Sequence, residues 1–532
     1  MTFSYNSDSF IAEWFANPDW WFNQSDTVDE YLTQKYQYLL DEKISNNFHA
    51  IIVYDQLVRH IFRHTQSHHI ISFFQNKALT LINDLDLDSL SPTEWCFAML
   101  PLRHTNDPEK IHIVMKLSWE KLNTLKNQVN TDNSKKDIEQ IQKFLKATYE
   151  RCPIFDQSKF ILKYNPSNKD NNIDTCQYNP EEFKHFLRNC PLEKPITIKY
   201  NDYILQNVQT ILTNYNPKKI IMSLSGGVDS VVSLWILKHL QPIFNFDMEI
   251  VTINYCNRKI SDDEQKFATK WALSLGYNVN VRRIEEIRRE PCMQNDMRNI
   301  YESYTRNIRY ATYKTIDPDA YVILGHNKDD GLENIFQNIS HNTKYEELRG
   351  MQYLIVQDDI KFLRPLLDIS KDDIIQFANE HNIPYLPNST PEWSQRGQIR
   401  NKVIPCLNSW NPDLIPGLYD LAKIVKEMHS ITLAFVSDHV KLFTKTYTGY
   451  IANIEIDIFN TIKESEIYWK TLIDKLTSIK ISKRSLRSFL ERLSNSSYSS
   501  NINDVLRFNL KKNLQIIIKN KDIIISIEVI TI

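Results

Sequence analysis

The stretch Ile220-Ile221-Met222-Ser223-Leu224-Ser225-Gly226-Gly227-Val228-Asp229-Ser230 decides the fold. Five residues with strand character run into two adjacent glycines, and the apolar spacing after Ser230 becomes helical. A strand that turns directly into a helix brings several backbone N–H groups and the positive end of the helix dipole to one point, which suits a pyrophosphate. Glycine serves there because a side chain would block close backbone approach and because positive φ angles are needed. The chain has only nine glycines, and none precedes Gly226. The run lacks the G-x-x-x-x-G-K-[ST] pattern of loops that serve γ-phosphate cleavage.

Working outward, short β-rich runs at Ile220–Leu224, Glu249–Asn254, Val279–Ile284 and Tyr321–Leu324 alternate with helical stretches. This alternation predicts an α/β doubly wound parallel sheet over residues 201–425. Ser261-Asp262-Asp263-Glu264 reads as a capping box opening a helix that Gly276 closes. Gly325-His326-Asn327-Lys328-Asp329-Asp330-Gly331-Leu332-Glu333-Asn334 follows the last of these runs. Its polar groups therefore fall at the carboxyl edge of the sheet, where open α/β sheets bind ligands. Asp329, Asp330 and Glu333 either hold an ammonium group or a metal, or form the solvated acidic start of a helix.

At 532 residues with 42 % apolar composition, the chain exceeds what one core supports, and a multidomain protein is expected. Helical spacing at Tyr31, Leu32, Tyr36, Leu39 and Leu40, and at Ile51, Ile52, Leu57, Ile61 and Phe62, predicts an all-α domain over 1–165. Trp14, Phe15, Trp20 and Trp21 read as its core. A linker is expected over 166–200, where Asn, Asp, Lys and Pro accumulate, and an α+β accessory module over 426–532. A formal net charge of -2 rules out a uniformly basic surface but not local basic patches. Such patches are read at Arg282 to Arg309, Arg396 to Lys402 and Lys475 to Lys521, although Glu285 and Glu286 stand beside Arg282 and Arg283. The seven cysteines are scattered and form no C-x-x-C, against a disulfide scaffold, zinc knuckle or iron–sulfur site. No run of about 20 apolar residues suggests a membrane span, and a reducing, cytoplasmic compartment is expected.

Ser225 to Ser230 resembles the SGGxDS loop of the PP-loop family, the N-type ATP pyrophosphatases. That resemblance implies ATP held by Ser225, Gly226, Gly227, Val228, Asp229, Ser230 and His326, release of AMP and pyrophosphate, and Mg²⁺ at Asp229 and Asp329. Within the family the chain is most similar to tRNA(Ile)-lysidine synthases. Gly325 to Asn334 resembles their HHxDDxxET segment, Tyr304 to Tyr310 their A-R-x-x-R-Y helix, Gly350-Met351 and Arg364 to Leu367 their G-M and R-P-L-L elements, and Arg396 to Arg400 their R-N-x-x-R segment. This implies adenylation of a cytidine in the tRNA(Ile) anticodon and its joining to lysine or another small nucleophile. Asp229, Asp330 and Glu333 would be catalytic, and Arg306, Arg309, Arg396 and Arg400 would meet RNA. Thr252 and Tyr255 stand where the family carries H-x-x-H, with Arg258 retained; Leu386 and Gly397 also depart from its pattern. Another PP-loop activity, thiolation or amidation, and a degenerate binding protein are the alternatives. Asp55 to Arg63 and Leu100 to Asp107 resemble signatures of a bacterial all-helical, TPR-like family without assigned activity. Asp55, Arg59 and His104 read there as a structural polar cluster, and that domain's partner is unknown.

Overall fold

The computed structural model describes residues 6–21, 23, 25–64, 67–127, 132–151, 157–166, 178–188, 202–341, 345–387, 394–495, 505–519 and 523–529. Two compact units divide the chain: Met1–Asn327 with Tyr353–Ser389, and Lys328–Gln352 with Thr390–Ile532. These units cut the chain elsewhere than the expected limits at 165, 200 and 425.

In the first unit a seven-stranded sheet is built from β1 (Ile161–Tyr164), β2 (Lys219–Ser223), β3 (Asp247–Asn254), β4 (Val279–Arg283), β5 (Tyr321–Ile323), β6 (Leu354–Gln357) and β7 (Ile360–Leu363), in the order β1-β4-β3-β2-β5-β7-β6. The strands β4, β3, β2, β5 and β7 run parallel, while β1 and β6 are antiparallel edges. Residues alternate between the two faces. Ile220, Met222, Ile250 and Ile323 join a core with the helices Tyr203–Tyr215, Val228–Phe244, Ser261–Ser274 and Lys371–Glu380. Ile221, Val251, Val322 and Phe362 instead meet Tyr310 and Tyr313 of the helix Arg298–Ile316. The doubly wound expectation therefore holds, with three strands that the sequence reading missed.

The expected capping box does not form. Ser261 is already helical, and its Oγ accepts the Arg258 N–H, while Glu264 pairs with Arg258 at 2.7 Å. Gly276 does close the helix. At φ +88 it donates to the Leu273 carbonyl while Tyr277 donates to Ala272, a Schellman pattern.

The helical N-terminal region shares a core with the sheet domain. Tyr301, Tyr304 and Ile308, on one stripe of the helix Arg298–Ile316, join Val114, Met115 and Tyr149 in a single cluster. Beneath that cluster lies a buried ion pair, Arg282 to Glu286 at 2.5 Å, with side chains 2 % and 5 % exposed. Tyr304 Oη donates to the Glu286 carboxylate at 3.2 Å, and Tyr149 Oη donates to its backbone carbonyl at 3.1 Å. Arg283 is likewise paired, with Asp262 and Glu285, so the acids beside these arginines do neutralise them. Within the expected linker, residues 178–188 are described and are not a spacer. Phe183 is buried in the sheet-domain core, and Glu182 bonds Lys266 and Lys270. The other linker residues beyond Pro166 lie outside the described residues.

The second unit holds the helices Lys328–Ser340 and Leu414–Val440 and a five-stranded antiparallel sheet of β8 (Thr444–Lys445), β9 (Gly449–Asn453), β10 (Val505–Lys511), β11 (Leu514–Lys519) and β12 (Ile524–Val529). Trp469, Leu472, Phe489 and Leu493 of two further helices fill the core against Leu514, Ile516 and Ile525. This is the expected α+β module.

Removing one member of a buried ion pair leaves a charge without compensation, which costs about 3–5 kcal/mol. Glu286→Ala should therefore lower the unfolding free energy by about 3 kcal/mol or more in urea denaturation. Glu285→Ala, at an exposed pair, should change it by under about 1 kcal/mol.

Candidate active site

Strand order places a topological switch point between β2 and β5. From β2 the chain winds outward through β3 and β4, then returns to the other side of β2 as β5. Loops after β2 and β5 therefore diverge from a common crevice at the carboxyl edge. Ser225 to Ser230 leaves β2, and Leu324 to Asn327 leaves β5.

The two loops touch through backbone. A Cβ on Gly325 would lie 2.9 Å from the Asp229 carbonyl carbon and the Ser230 nitrogen, so only glycine fits. Gly226 has φ +85, and a Cβ there would lie 2.6 Å from Leu386 Cδ1. Leu386 also donates its N–H to the Gly226 carbonyl at 2.9 Å, which pins the loop from its far side. Ser230 Oγ donates to the Gly227 carbonyl at 2.9 Å and accepts the Ser225 N–H at 3.2 Å. Gly227 is the N-cap of the helix Val228–Phe244 and supplies no side-chain cap. Ser230 and Val231 donate their N–H groups to the Gly227 carbonyl at 3.1 Å, while the N–H groups of Val228 and Asp229 ahead of them meet no side-chain cap, which fits an anionic ligand at this point.

Asp229 is held from two sides. Asn327 Nδ2 donates to one oxygen at 2.9 Å, and Lys371 Nζ donates to the other at 2.5 Å. Lys371 escaped the sequence reading. Its signal was present: it opens the helix Lys371–Glu380, where a cation opposes the helix dipole and so calls for a reason beyond helix formation. At the neighbouring position, Arg364 Nε donates to His326 Nδ1 at 3.0 Å, which leaves the imidazole proton on Nε2. Burial lowers the Arg364 pKa from its ordinary value. A Mg²⁺ on Asp229 would face the Lys371 ammonium, and the arrangement does not fit a protein-held metal there. Among the described residues, a metal-compatible grouping of acids and histidine occurs at Asp26, Asp29 and His64 instead.

The remaining expected residues belong to different settings. Arg309 lies half-buried, with Nη1 3.5 Å from Tyr255 Oη and its guanidinium over the Tyr310 ring, whereas Arg306 is exposed. Thr252, standing where the resembled family carries the first histidine of H-x-x-H, has a buried Oγ1 without a hydrogen-bond partner among the described residues. Asp329, Asp330 and Glu333 lie in the second unit, in the first turns of the helix Lys328–Ser340. Glu333 is 1 % exposed and bonds two guanidiniums, Arg396 Nε at 2.8 Å and Arg400 Nη2 at 2.6 Å. Arg396 also reaches Asp330 at 2.5 Å. Two residues expected to be catalytic and two expected to meet RNA thus form one ion-pair cluster. In the helical region Asp55 bonds His104 Nδ1 at 2.9 Å and Arg59 at 3.2 Å, a polar cluster between helices.

Residues 201–407 match the family model described as PP-loop domain, and residues 10–153 match that described as bacterial protein of unknown function (DUF924). The tRNA(Ile)-lysidine synthase of Thermosipho africanus is 28 % identical over 238 residues, 44 % of this chain and 53 % of that protein. That of Malacoplasma penetrans is 25 % identical over 317 residues, 58 % of this chain and 99 % of that protein. The chain thus spans about half the length of the first of these relatives. A solved structure of the U34-tRNA thiolase NcsA from Methanococcus maripaludis aligns with a TM-score of 0.35 at 18 % identity, over 42 % of this chain and 78 % of that one. No helix among the described residues is long and apolar enough to cross a membrane.

Overpacking a tight backbone approach costs about 1–3 kcal/mol. Gly325→Ala should therefore destabilise the chain by that amount in chemical denaturation, while Gly331→Ala, with open space around its Cβ, should not destabilise it. A loss at Gly331 equal to that at Gly325 would remove the close approach as the cause. The chain thus carries a PP-loop domain over residues 201–407, preceded by a DUF924-family region over 10–153.

Proposed function

We propose that the chain is an ATP-dependent tRNA-modifying ligase that adenylates a cytidine of the tRNA(Ile) anticodon and joins lysine to it. The observation that carries this reading is the double glycine approach at the switch point, with Gly325 seated on the Asp229–Ser230 backbone beside an uncapped helix start. The similarity to tRNA(Ile)-lysidine synthases supports the choice of acceptor and nucleophile.

ATP would be held by the backbone of Ser225 to Ser230 and by His326, and its chemistry is to activate a carbonyl oxygen as the AMP ester while pyrophosphate departs. In this reading the loop amides stabilise the charge that grows on the departing group. Lys371 adds a fixed positive charge at Asp229, the position at which a metal was expected. Asp229 orients Lys371 and Asn327 rather than acting as an isolated carboxylate. Arg364 fixes the His326 ring as an Nε2–H donor. With both Glu333 oxygens engaged, Glu333 sets Arg396 and Arg400 as a rigid pair of cations suited to RNA phosphate. Lysine must lose a proton before its amine can attack, so an orienting acid and a proton acceptor are required. Asp330 is the residue we assign to that task. At three of the described cysteines the environment disfavours sulfur chemistry: burial pushes Cys96 and Cys292 up to about 12 and also raises the Cys256 pKa, the reverse of a reactive thiolate.

Purified protein incubated with ATP, Mg²⁺, tRNA and each amino acid in turn should release AMP and pyrophosphate only with RNA, and should incorporate lysine. ADP as the product would overturn the reading. Asp229→Ala and Lys371→Ala should each lower turnover at least about 100-fold, the scale on which one preorganised electrostatic partner acts. Unfolding midpoints close to the parent's would separate this loss from misfolding.

A further inference from the structure

The helix Leu414–Val440 carries an apolar stripe that the described residues leave largely exposed, although Phe435 at its end packs on the rings of His439 and Tyr468. Leu421, Ile424, Met428, Ile431 and Phe435 are 53 %, 52 %, 60 %, 70 % and 44 % exposed. Its opposite side is satisfied, since Ala422, His429 and Val436 are buried against the rest of the unit. Scattered exposed apolar residues need no explanation, but five on one stripe of one helix do.

The spacing names the occupant. The exposed residues recur at intervals of three, four, three and four, which is the a/d repeat of a two-stranded coiled coil rather than the broader apolar face of a helix on a globular core. At about 1.5 Å per residue the 27-residue helix is about 40 Å long, enough for almost four heptads. We infer that this stripe pairs antiparallel with the same stripe of a second copy of the chain, making the protein a homodimer through Leu414–Val440.

Charge selects the antiparallel arrangement. In a parallel in-register pair the next d position, Asp438, would meet Asp438 of the second copy inside the seam, setting like charges together. In the antiparallel pair Met428 layers on Ile431 of the second copy, and Ile424 on Phe435 of the second copy. Asp438 then layers on Leu421 of the second copy in the outermost layer of the seam, where its exposed carboxylate reaches water and is kept from Asp438 of the second copy. That same register brings Asp420, on the flank of the stripe, opposite Lys441 of the second copy, while Glu427 comes opposite Ala434 of the second copy and meets no like charge. Within one chain Lys441 pairs with exposed Asp438 at 2.7 Å, a surface bridge of little worth that can be exchanged.

Sedimentation equilibrium on the full chain tests the inference. A mass of twice 62.9 kDa is expected at micromolar concentration, and a single-chain mass at every concentration up to 100 µM would overturn it. Met428→Glu combined with Ile431→Glu should give the monomer with unchanged helix content by circular dichroism. A dimer that survives this change would overturn the helix as the interface. The charge swap tests the register: Asp420→Lys should raise the dimer Kd at least about tenfold, and Asp420→Lys with Lys441→Asp should restore it. Failure of either step would overturn the antiparallel pairing. These variants leave the phosphate loop and its partners intact, so the outcome is independent of the proposed reaction.

Discussion

The backbone-on-backbone approach of Gly325 to Asp229 and Ser230 sets the geometry on which the first unit's site depends. Parallel strands β2 and β5 lie side by side, but their loops must diverge if a crevice is to open, and they must still meet at one point if it is to be rigid. A single missing Cβ allows both. The contact fixes the start of the helix Val228–Phe244 relative to β5, and it puts Asn327, two residues on, within reach of Asp229. Leu386 closes the opposite side of the same loop through a backbone bond to Gly226 and a side chain packed where a Cβ would stand. The phosphate loop is thus held by a backbone seat on one side and a bond with apolar packing on the other, and its donors are preorganised before any ligand arrives.

A second constraint ties the helical region to this sheet. Arg282, the last residue but one of β4, is buried, and without Glu286 its charge would be stranded. Glu286 in turn accepts the Tyr304 hydroxyl, and its carbonyl receives the Tyr149 hydroxyl from the helical region. Strand β1 adds to the seam by pairing antiparallel with β4 directly after that region. A shared core and a shared sheet edge make the helical region a wall of the first unit, not an appendage on a tether.

The parts of the fold visible in the sequence were those with local causes. Gly226, Gly227 and Gly325 announced themselves because glycine is scarce in this chain and each lies directly after a strand. The parallel strands on both sides of the switch point showed as apolar runs. Strand β1 was hidden because four residues are too few to show an alternation, and the exposure of apolar Leu162 at this edge breaks it; Phe183 was hidden because polar neighbours masked a single buried ring. The capping box failed for a comparable reason: Ser261 had the right spacing to Glu264, but a competing partner, Arg258, took both. Lys371 lies 142 residues from Asp229, and no local pattern encodes such a pairing.

The pairing of Glu333 with Arg396 and Arg400 changes how these charges should be divided into roles. Read along the sequence, carboxylates look like bases and arginines look like phosphate ligands, each acting alone. In the structure, a carboxylate that is 1 % exposed is tolerable only because guanidiniums satisfy it, and those guanidiniums hold their orientation because the carboxylate is there. The arginines reach it from the turn of helix between Gln395 and Val403, where the π-helical run Ile399–Val403 alters the spacing of side chains that an ordinary helix would give. The acid and the cations therefore form one device: loss of Glu333 would free the arginines, and loss of either arginine would leave part of a buried charge unmatched. Such a cluster holds two guanidiniums in fixed geometry, which is what positioning a nucleic-acid backbone demands, and in the proposed reaction the proton transfer that lysine requires is left to Asp330 at the edge of that clamp, not to the doubly bonded Glu333.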